Sequence, residues 1–90
     1  MPQRFKEIFL LLEEWKDIVN KSSTDIMFNK SVAMNINTLS KELHKPAHER
    51  SWGKVKLLLL TLHRVAAIKK YVSNSMVTIE GICQSDINPD

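Results

Sequence analysis

Few side chains in this sequence of 90 residues have the type and spacing that catalysis or metal binding requires. His44 and His48 are four residues apart, like the paired ligands of a metal-binding helix, but Pro46 between them disfavours such a helix. His63 is isolated, and the single cysteine, Cys83, lies in a segment without the basic neighbours that would activate a thiolate. The sequence therefore predicts no enzyme, no metal site and no cofactor.

Basic side chains are the second chemically informative group, because they are concentrated in one part of the chain. The net charge is +3, and residues 41–75 alone carry +6, with eight basic and two acidic residues. Residues 1–40 are neutral and residues 76–90 carry −3. A basic block indicates either an anionic partner such as nucleic acid or a solvated surface, and the clustering does not separate the two. The predicted nucleic-acid contacts are Arg50, Lys54, Lys56, Arg64, Lys69, Lys70 and Asn74.

A surplus of apolar side chains defines another candidate surface. On a long helix with Val55 and Leu62 on its core side, positions 57 and 60 fall on the opposite side, and both are leucine. A helix that is apolar on both sides is usually buried in a bundle or covered by a partner chain. The predicted interface residues are Trp52, Leu57 and Leu60, with a core position as the alternative for Trp52.

Apolar periodicity predicts the elements that position these side chains. Apolar residues at spacings of three and four predict a helix over residues 3–20. Residues 32–36 alternate between large apolar and smaller or polar side chains, which favours a short strand. A short helix over residues 39–44 then ends before Pro46. The other interpretation of this region is a single helical stripe that continues through all of these residues.

The second half of the sequence is predicted to hold a long helix followed by a hairpin. The helical pattern begins at about residue 49, with Ser51 as the candidate N-cap. Two apolar stretches, residues 68–72 and 76–82, flank Ser73-Asn74-Ser75, whose composition favours a turn between strands. The rival interpretation continues the long helix into the first of these stretches.

This order of elements resembles the winged helix-turn-helix domains. Thr38-Leu39-Ser40-Lys41-Glu42-Leu43 is similar to the first helix of the motif, and the stretch from Ser51 to Leu62 is similar to its recognition helix. Residues 68–82 are similar to the strands and tip of the wing. The resemblance implies an α+β, mostly helical fold, a winged helix-turn-helix with a C-terminal β-hairpin that contacts DNA phosphates through the long helix and the wing. The residues themselves also allow an all-α bundle of three or four helices.

The sequence thus predicts a single domain over residues 1–90, with residues 84–90 as a flexible polar tail. With no apolar run of membrane length, no signal segment and no cysteine pair, we expect an intracellular protein, cytoplasmic or nuclear. The predicted function is nucleic-acid binding, with duplex DNA as the partner, in regulation or replication. The alternative is a protein-interaction or homodimerisation module that uses the apolar side of the long helix, and no membrane partner is predicted.

Overall fold

Four α-helices joined by short turns make up the fold. The structure, a computed structural model, describes residues 3–89, and its elements are α1 (Gln3–Ser22), α2 (Ile26–His44), a 3-10 turn (Ala47–Glu49), α3 (Trp52–Leu62) and α4 (Lys69–Cys83). Each helix packs against the next one along the chain, and α4 returns to contact α1. α1 and α3 therefore lie at diagonal corners of the bundle, and each is flanked by α2 and α4.

The predicted α+β fold is wrong, because the part of the chain that the structure describes contains helices and no strand. The strand predicted over residues 32–36 and the short helix predicted over residues 39–44 are parts of one helix, α2. The wing hairpin predicted over residues 68–82 is replaced by helix α4. The winged helix-turn-helix architecture therefore does not apply, and the alternative of an all-α four-helix bundle describes the structure.

A stripe of apolar side chains explains why α2 is continuous. Val32, Ile36, Leu39 and Leu43 are buried at intervals of four, three and four residues, so they face the core from one side of the helix. The Asn, Ser and Thr residues between them lie at exposed or half-exposed positions, where each lowers helix stability by only about 0.5 kcal/mol. Asp25 caps the helix by accepting a hydrogen bond from a backbone N–H of the first turn. Burial of the apolar stripe and capping by Asp25 together outweigh the weak helix propensity of the Asn, Ser and Thr residues.

The same periodicity explains why α4 forms in place of the hairpin. Val72, Ser75, Ile79 and Ile82 face the core, and Ser75 is the polar member of this stripe. Its hydroxyl donates a hydrogen bond to the Tyr71 carbonyl oxygen at 2.8 Å, so the buried group is satisfied inside the helix. The polar composition around Ser75 favours a turn, but the apolar residues on both sides of it can be buried together only in a helix.

The predicted first helix is confirmed as α1, which extends two residues further than expected, to Ser22. Its side chains Leu12 and Trp15 are almost completely buried. They belong to one continuous apolar core to which all four helices contribute. The outer faces of the helices are therefore the surfaces on which function can be sought.

The segment after α4 folds back against the turn between α2 and α3. The side-chain oxygen of Asn88 accepts a hydrogen bond from the Ala47 backbone N–H at 2.7 Å, and Pro89 is buried. The prediction of a flexible tail over residues 84–90 stays a prediction, and Asp90 lies outside the described residues.

Candidate interaction surfaces

Arg50 lies at the centre of a contact network at one end of the bundle. Its guanidinium donates hydrogen bonds to the carbonyl oxygens of Cys83 at 3.2 Å, Ser85 at 2.8 Å and Ile87 at 2.9 Å. The guanidinium carbon also lies 5.2 Å from the centroid of the Phe5 ring, within the range of a cation–π contact.

The position of this network explains its chemistry. The last carbonyl groups of a helix lack intrahelical partners, and the helix dipole favours a positive charge beside them. Arg50 supplies both the donors and the charge at the end of α4, so it acts as a cap contributed from a distant part of the chain. The guanidinium that was predicted to contact nucleic acid is therefore engaged within the protein.

Glu42 is a buried carboxylic acid, with 2% of its surface exposed. Its carboxylate accepts a hydrogen bond from the Ser51 backbone N–H at 3.0 Å. It also forms ion pairs with the ammonium groups of Lys45 at 3.1 Å and Lys54 at 3.5 Å. Ser51 is itself the N-cap of α3, as the sequence predicted. Glu42 thus fixes the end of α2 to the start of α3.

The surroundings of Glu42 also set its protonation. Burial alone would raise the pKa of this carboxyl group. The hydrogen bonds from Lys45 and Ser51, with the positive charges of Lys45 and Lys54, outweigh burial and lower the pKa below its ordinary value. The folded protein therefore holds Glu42 as a carboxylate, and Lys54, a predicted nucleic-acid contact, is one of its partners.

The thiol of Cys83, the last residue of α4, is buried rather than presented to solvent. Burial raises its pKa, although the nearby charge of Arg50 acts in the opposite direction. The group is therefore held as a neutral thiol. Among residues 3–89, no three side chains of the metal-ligating types come together.

Five of the seven predicted nucleic-acid contacts are exposed and take part in none of the ion pairs found among residues 3–89. Lys56 lies on α3, and Arg64 lies in the turn that follows it. Lys69 and Lys70 form the first turn of α4, and Asn74 is exposed one turn later on the same helix. The structure therefore places the available cations on the adjacent helices α3 and α4.

The outer side of α3 is apolar at its centre. Leu57 is 68% exposed and Leu60 is 45% exposed, although the opposite side of the same helix is completely buried. Both leucines line an open groove together with Thr61, His63 and Arg64. We name the surface formed by Leu57, Leu60, Thr61 and Arg64 the α3 docking face.

Trp52, the third predicted interface residue, has a different environment. It is half-buried and packs against the apolar core at the start of α3. Its position is that of a core residue at the edge of the bundle, which was the alternative interpretation of the sequence. The α3 docking face therefore begins beyond it.

A second face with the opposite charge lies on α1. Leu10 is 57% exposed, and the exposed carboxylates of Glu7, Glu14 and Asp17 surround it on the outer side of the helix. We name these four residues the α1 acidic face. Residues 1–40 are neutral overall, because their basic residues balance their acidic ones. The missed signal is the spacing of the acids from Leu10, which places them on one side of a helix.

Exposed apolar side chains also occur outside the α3 docking face. Ile26, Met27 and Phe28 are exposed in the first turn of α2, and Phe28 lines a groove between α2 and the turn that follows α3. Met27 and Met34 lie two turns apart on the outer side of α2, with Lys30 between them. Tyr71 and Val77 are exposed on α4 six residues apart, on different sides of the helix. Apolar residues scattered singly are normal on protein surfaces. The α3 docking face differs from the group on α2 because its two leucines lie at the centre of a helix rather than in its first turn.

Comparisons of the chain with protein-family models, with curated proteins and with solved structures give no match. No helix within residues 3–89 is long and apolar enough to cross a membrane. Function must therefore be argued from the faces just described.

Proposed function

We propose that this chain is a protein-interaction module that binds a partner protein through the α3 docking face. The observation that carries the proposal is the exposure of Leu57 and Leu60 on a helix whose other side already fills the core. Covering one leucine side chain completely stabilises a complex by about 1.5–3 kcal/mol. A helix that leaves two such side chains uncovered beside a groove has the features of a docking site.

The setting proposed for this module is intracellular, cytoplasmic or nuclear. A small domain with one buried thiol and no partner cysteine fits a reducing compartment, where disulfides are rare.

Site-specific photo-crosslinking in the cells that produce the protein tests the docking function. A Thr61→p-benzoylphenylalanine variant of the full chain is expected to give discrete protein adducts, because Thr61 lies beside both leucines in the groove. Adding Leu57→Ser and Leu60→Ser should reduce the adduct yield about tenfold, since it removes most of the apolar contact. Adduct yield is measured by gel electrophoresis and mass spectrometry.

The matched control places the same photo-reactive group at Ser73, an exposed position on α4 outside the groove. It should give no discrete adduct. Adducts from Thr61 that persist undiminished in the double serine variant would contradict the proposal. Both leucines are exposed, so the serine variant is expected to unfold at the same urea concentration as the unaltered protein.

A second candidate function is nucleic-acid binding, and one observation favours it. From Arg50 to Ile79 the sequence contains no acidic residue, so the exposed cations of α3 and α4 have no carboxylate on their own helices to offset them before Glu80. Phosphate contacts depend on such uncompensated charge. The function proposed here for them is sequence-independent contact with the backbone of duplex DNA.

Fluorescence anisotropy with a labelled DNA duplex at low salt tests this second function. Binding is expected to weaken as salt rises, with a slope of about 0.9 per phosphate contact on a double-logarithmic plot. Lys69→Ala combined with Lys70→Ala should lower the affinity evenly across duplex sequences. The matched control, Lys6→Ala combined with Lys21→Ala on α1, should leave it unchanged. Absence of binding, or binding that ignores salt, would remove nucleic acid as a partner.

A further inference from the structure

We propose that the partner of the α3 docking face is a second copy of this chain, which binds there through its α1 acidic face. The inference rests on the protein-interaction function and names the partner. The two faces are built alike, because each has exposed leucine at its centre and charged side chains around it. These charges are negative on the α1 acidic face and positive on the α3 docking face.

The α1 acidic face presents one leucine among carboxylates. Leu10 is 57% exposed, and Glu7, Glu14 and Asp17 lie three, four and seven residues from it, all on the same side of the helix. The ion pairs found within residues 3–89 include none of these three carboxylates. Lys6, four residues before Leu10, is also exposed on this side, and the three carboxylates outnumber it. The face therefore offers an apolar contact together with net negative charge.

The α3 docking face presents two leucines among cations. Arg64 lies two residues beyond α3 and seven residues from Leu57, and Lys56 is exposed four residues before Leu60. When Leu10 of one copy contacts Leu57 and Leu60 of another, the carboxylates of the first copy meet these cations. Charge complementarity of this kind selects the partner and orients it, and the leucines supply the apolar contact.

The same charges exclude contact between identical faces. A contact between two α3 docking faces would place Lys56 and Arg64 of one copy against the same cations of the other, and like charges brought together in an interface cost several kcal/mol. The contact is therefore between different faces. Because α1 and α3 lie at diagonal corners of the bundle, a bound copy leaves its own α3 docking face open. Such head-to-tail contacts continue into a chain of copies or close into a ring.

The size of the faces limits the strength of this association. α3 has 11 residues and is therefore about 16 Å long. A contact between single helix faces of this length buries less than the roughly 800 Å² per partner of a standard stable interface. Self-association is therefore expected to be reversible and to increase with protein concentration.

Sedimentation velocity of the full chain over a wide concentration range tests the inference. The sedimentation coefficient is expected to rise with concentration and to rise less at high salt. Glu14→Lys with Asp17→Lys, and separately Lys56→Glu with Arg64→Glu, should each lower the association constant about tenfold or more, because each places like charges in the contact. The chain that carries all four substitutions has its charges exchanged and should regain association.

The matched control is Lys30→Glu with Lys41→Glu, which makes the same charge change on the outer side of α2 and should leave association unchanged. Circular dichroism confirms that each variant keeps its helix content. A protein that sediments as a monomer at every concentration would overturn the inference. So would a variant with all four substitutions that associates no better than the two double variants from which it is made. If crosslinking from Thr61 then yields only adducts with other proteins, the docking function stands and self-association alone fails. If crosslinking also yields nothing, both fail.

Discussion

Replacing Arg50 with alanine is expected to lower the free energy of unfolding by about 2–4 kcal/mol. The side chain donates charge-assisted hydrogen bonds to carbonyl oxygens at and beyond the end of α4, and hydrogen bonds of this kind are worth about 1.5–3 kcal/mol each before losses from incomplete burial. The variant also loses the packing of the guanidinium on the Phe5 ring. Urea denaturation followed by circular dichroism measures the change.

Two further variants separate the geometry of the guanidinium from its charge. Arg50→Lys keeps the positive charge but cannot reach several carbonyl groups from one planar group, so it should restore less than half of the loss. Lys56→Ala removes an exposed cation from the neighbouring helix and should change stability by no more than about 0.5 kcal/mol. Equal stability of the Arg50→Ala and Lys56→Ala proteins would show that the network does not stabilise the fold.

Replacing Glu42 with alanine is expected to cost about 2–3 kcal/mol of stability. The change leaves the Ser51 backbone N–H without its acceptor and separates the end of α2 from the start of α3. The side chains of Lys45 and Lys54 are 44% and 57% exposed. Their ammonium groups can therefore be hydrated when Glu42 is removed, and the loss is smaller than for a fully buried ion pair. Glu49→Ala, which removes an exposed carboxylate from the 3-10 turn between α2 and α3, is the matched control and should be nearly neutral.

The contribution of Glu42 to the free energy of unfolding depends on pH, and its lowered pKa in the folded state sets the direction of that dependence. The unfolded chain takes up a proton at the ordinary glutamate pKa, about 4.3, and the folded chain takes it up only at lower pH. The stabilisation is therefore complete above that value and is lost as the pH falls through the lowered pKa of the folded state. The difference in urea midpoint between the unaltered protein and Glu42→Gln should shrink on acidification over this range. A difference that stays constant, or grows, would contradict the assignment.

The helix content of this fold was only partly predictable from its sequence. α1 was predicted correctly because its core stripe and its helix propensity agree. In α2 and α4 they disagree: the core stripe is helical, whereas the Asn, Ser and β-branched residues favour turns and strands. Tertiary burial decided both cases, and burial is a property of the assembled bundle. Ser75 is an example, because a polar residue at a core position interrupts the apolar helical periodicity by which α4 could have been predicted.

The residues of the candidate site were also only partly predictable from the sequence. Leu57 and Leu60 were found from helical spacing alone, because the exposed side of α3 follows from its buried side. The roles of Arg50 and Glu42 were not found, because each depends on contacts between segments far apart in the chain. A local charge cluster does not reveal whether a cation faces solvent or carbonyl oxygens. Arg50 was therefore predicted to bind nucleic acid because of its charge, whereas in the structure its guanidinium binds carbonyl oxygens at and beyond the end of α4.

The contacts of Arg50 also bear on the order of events in folding. Its hydrogen bond to Ile87 spans 37 residues, and its contact with Phe5 reaches back almost to the start of the chain. Such distant partners are brought together only after the intervening helices have packed, so these contacts form late. Interactions that are absent from the folding transition state slow unfolding and leave the folding rate nearly unchanged. Arg50, which contacts both α1 and the segment after α4, is therefore expected to slow unfolding more than it speeds folding.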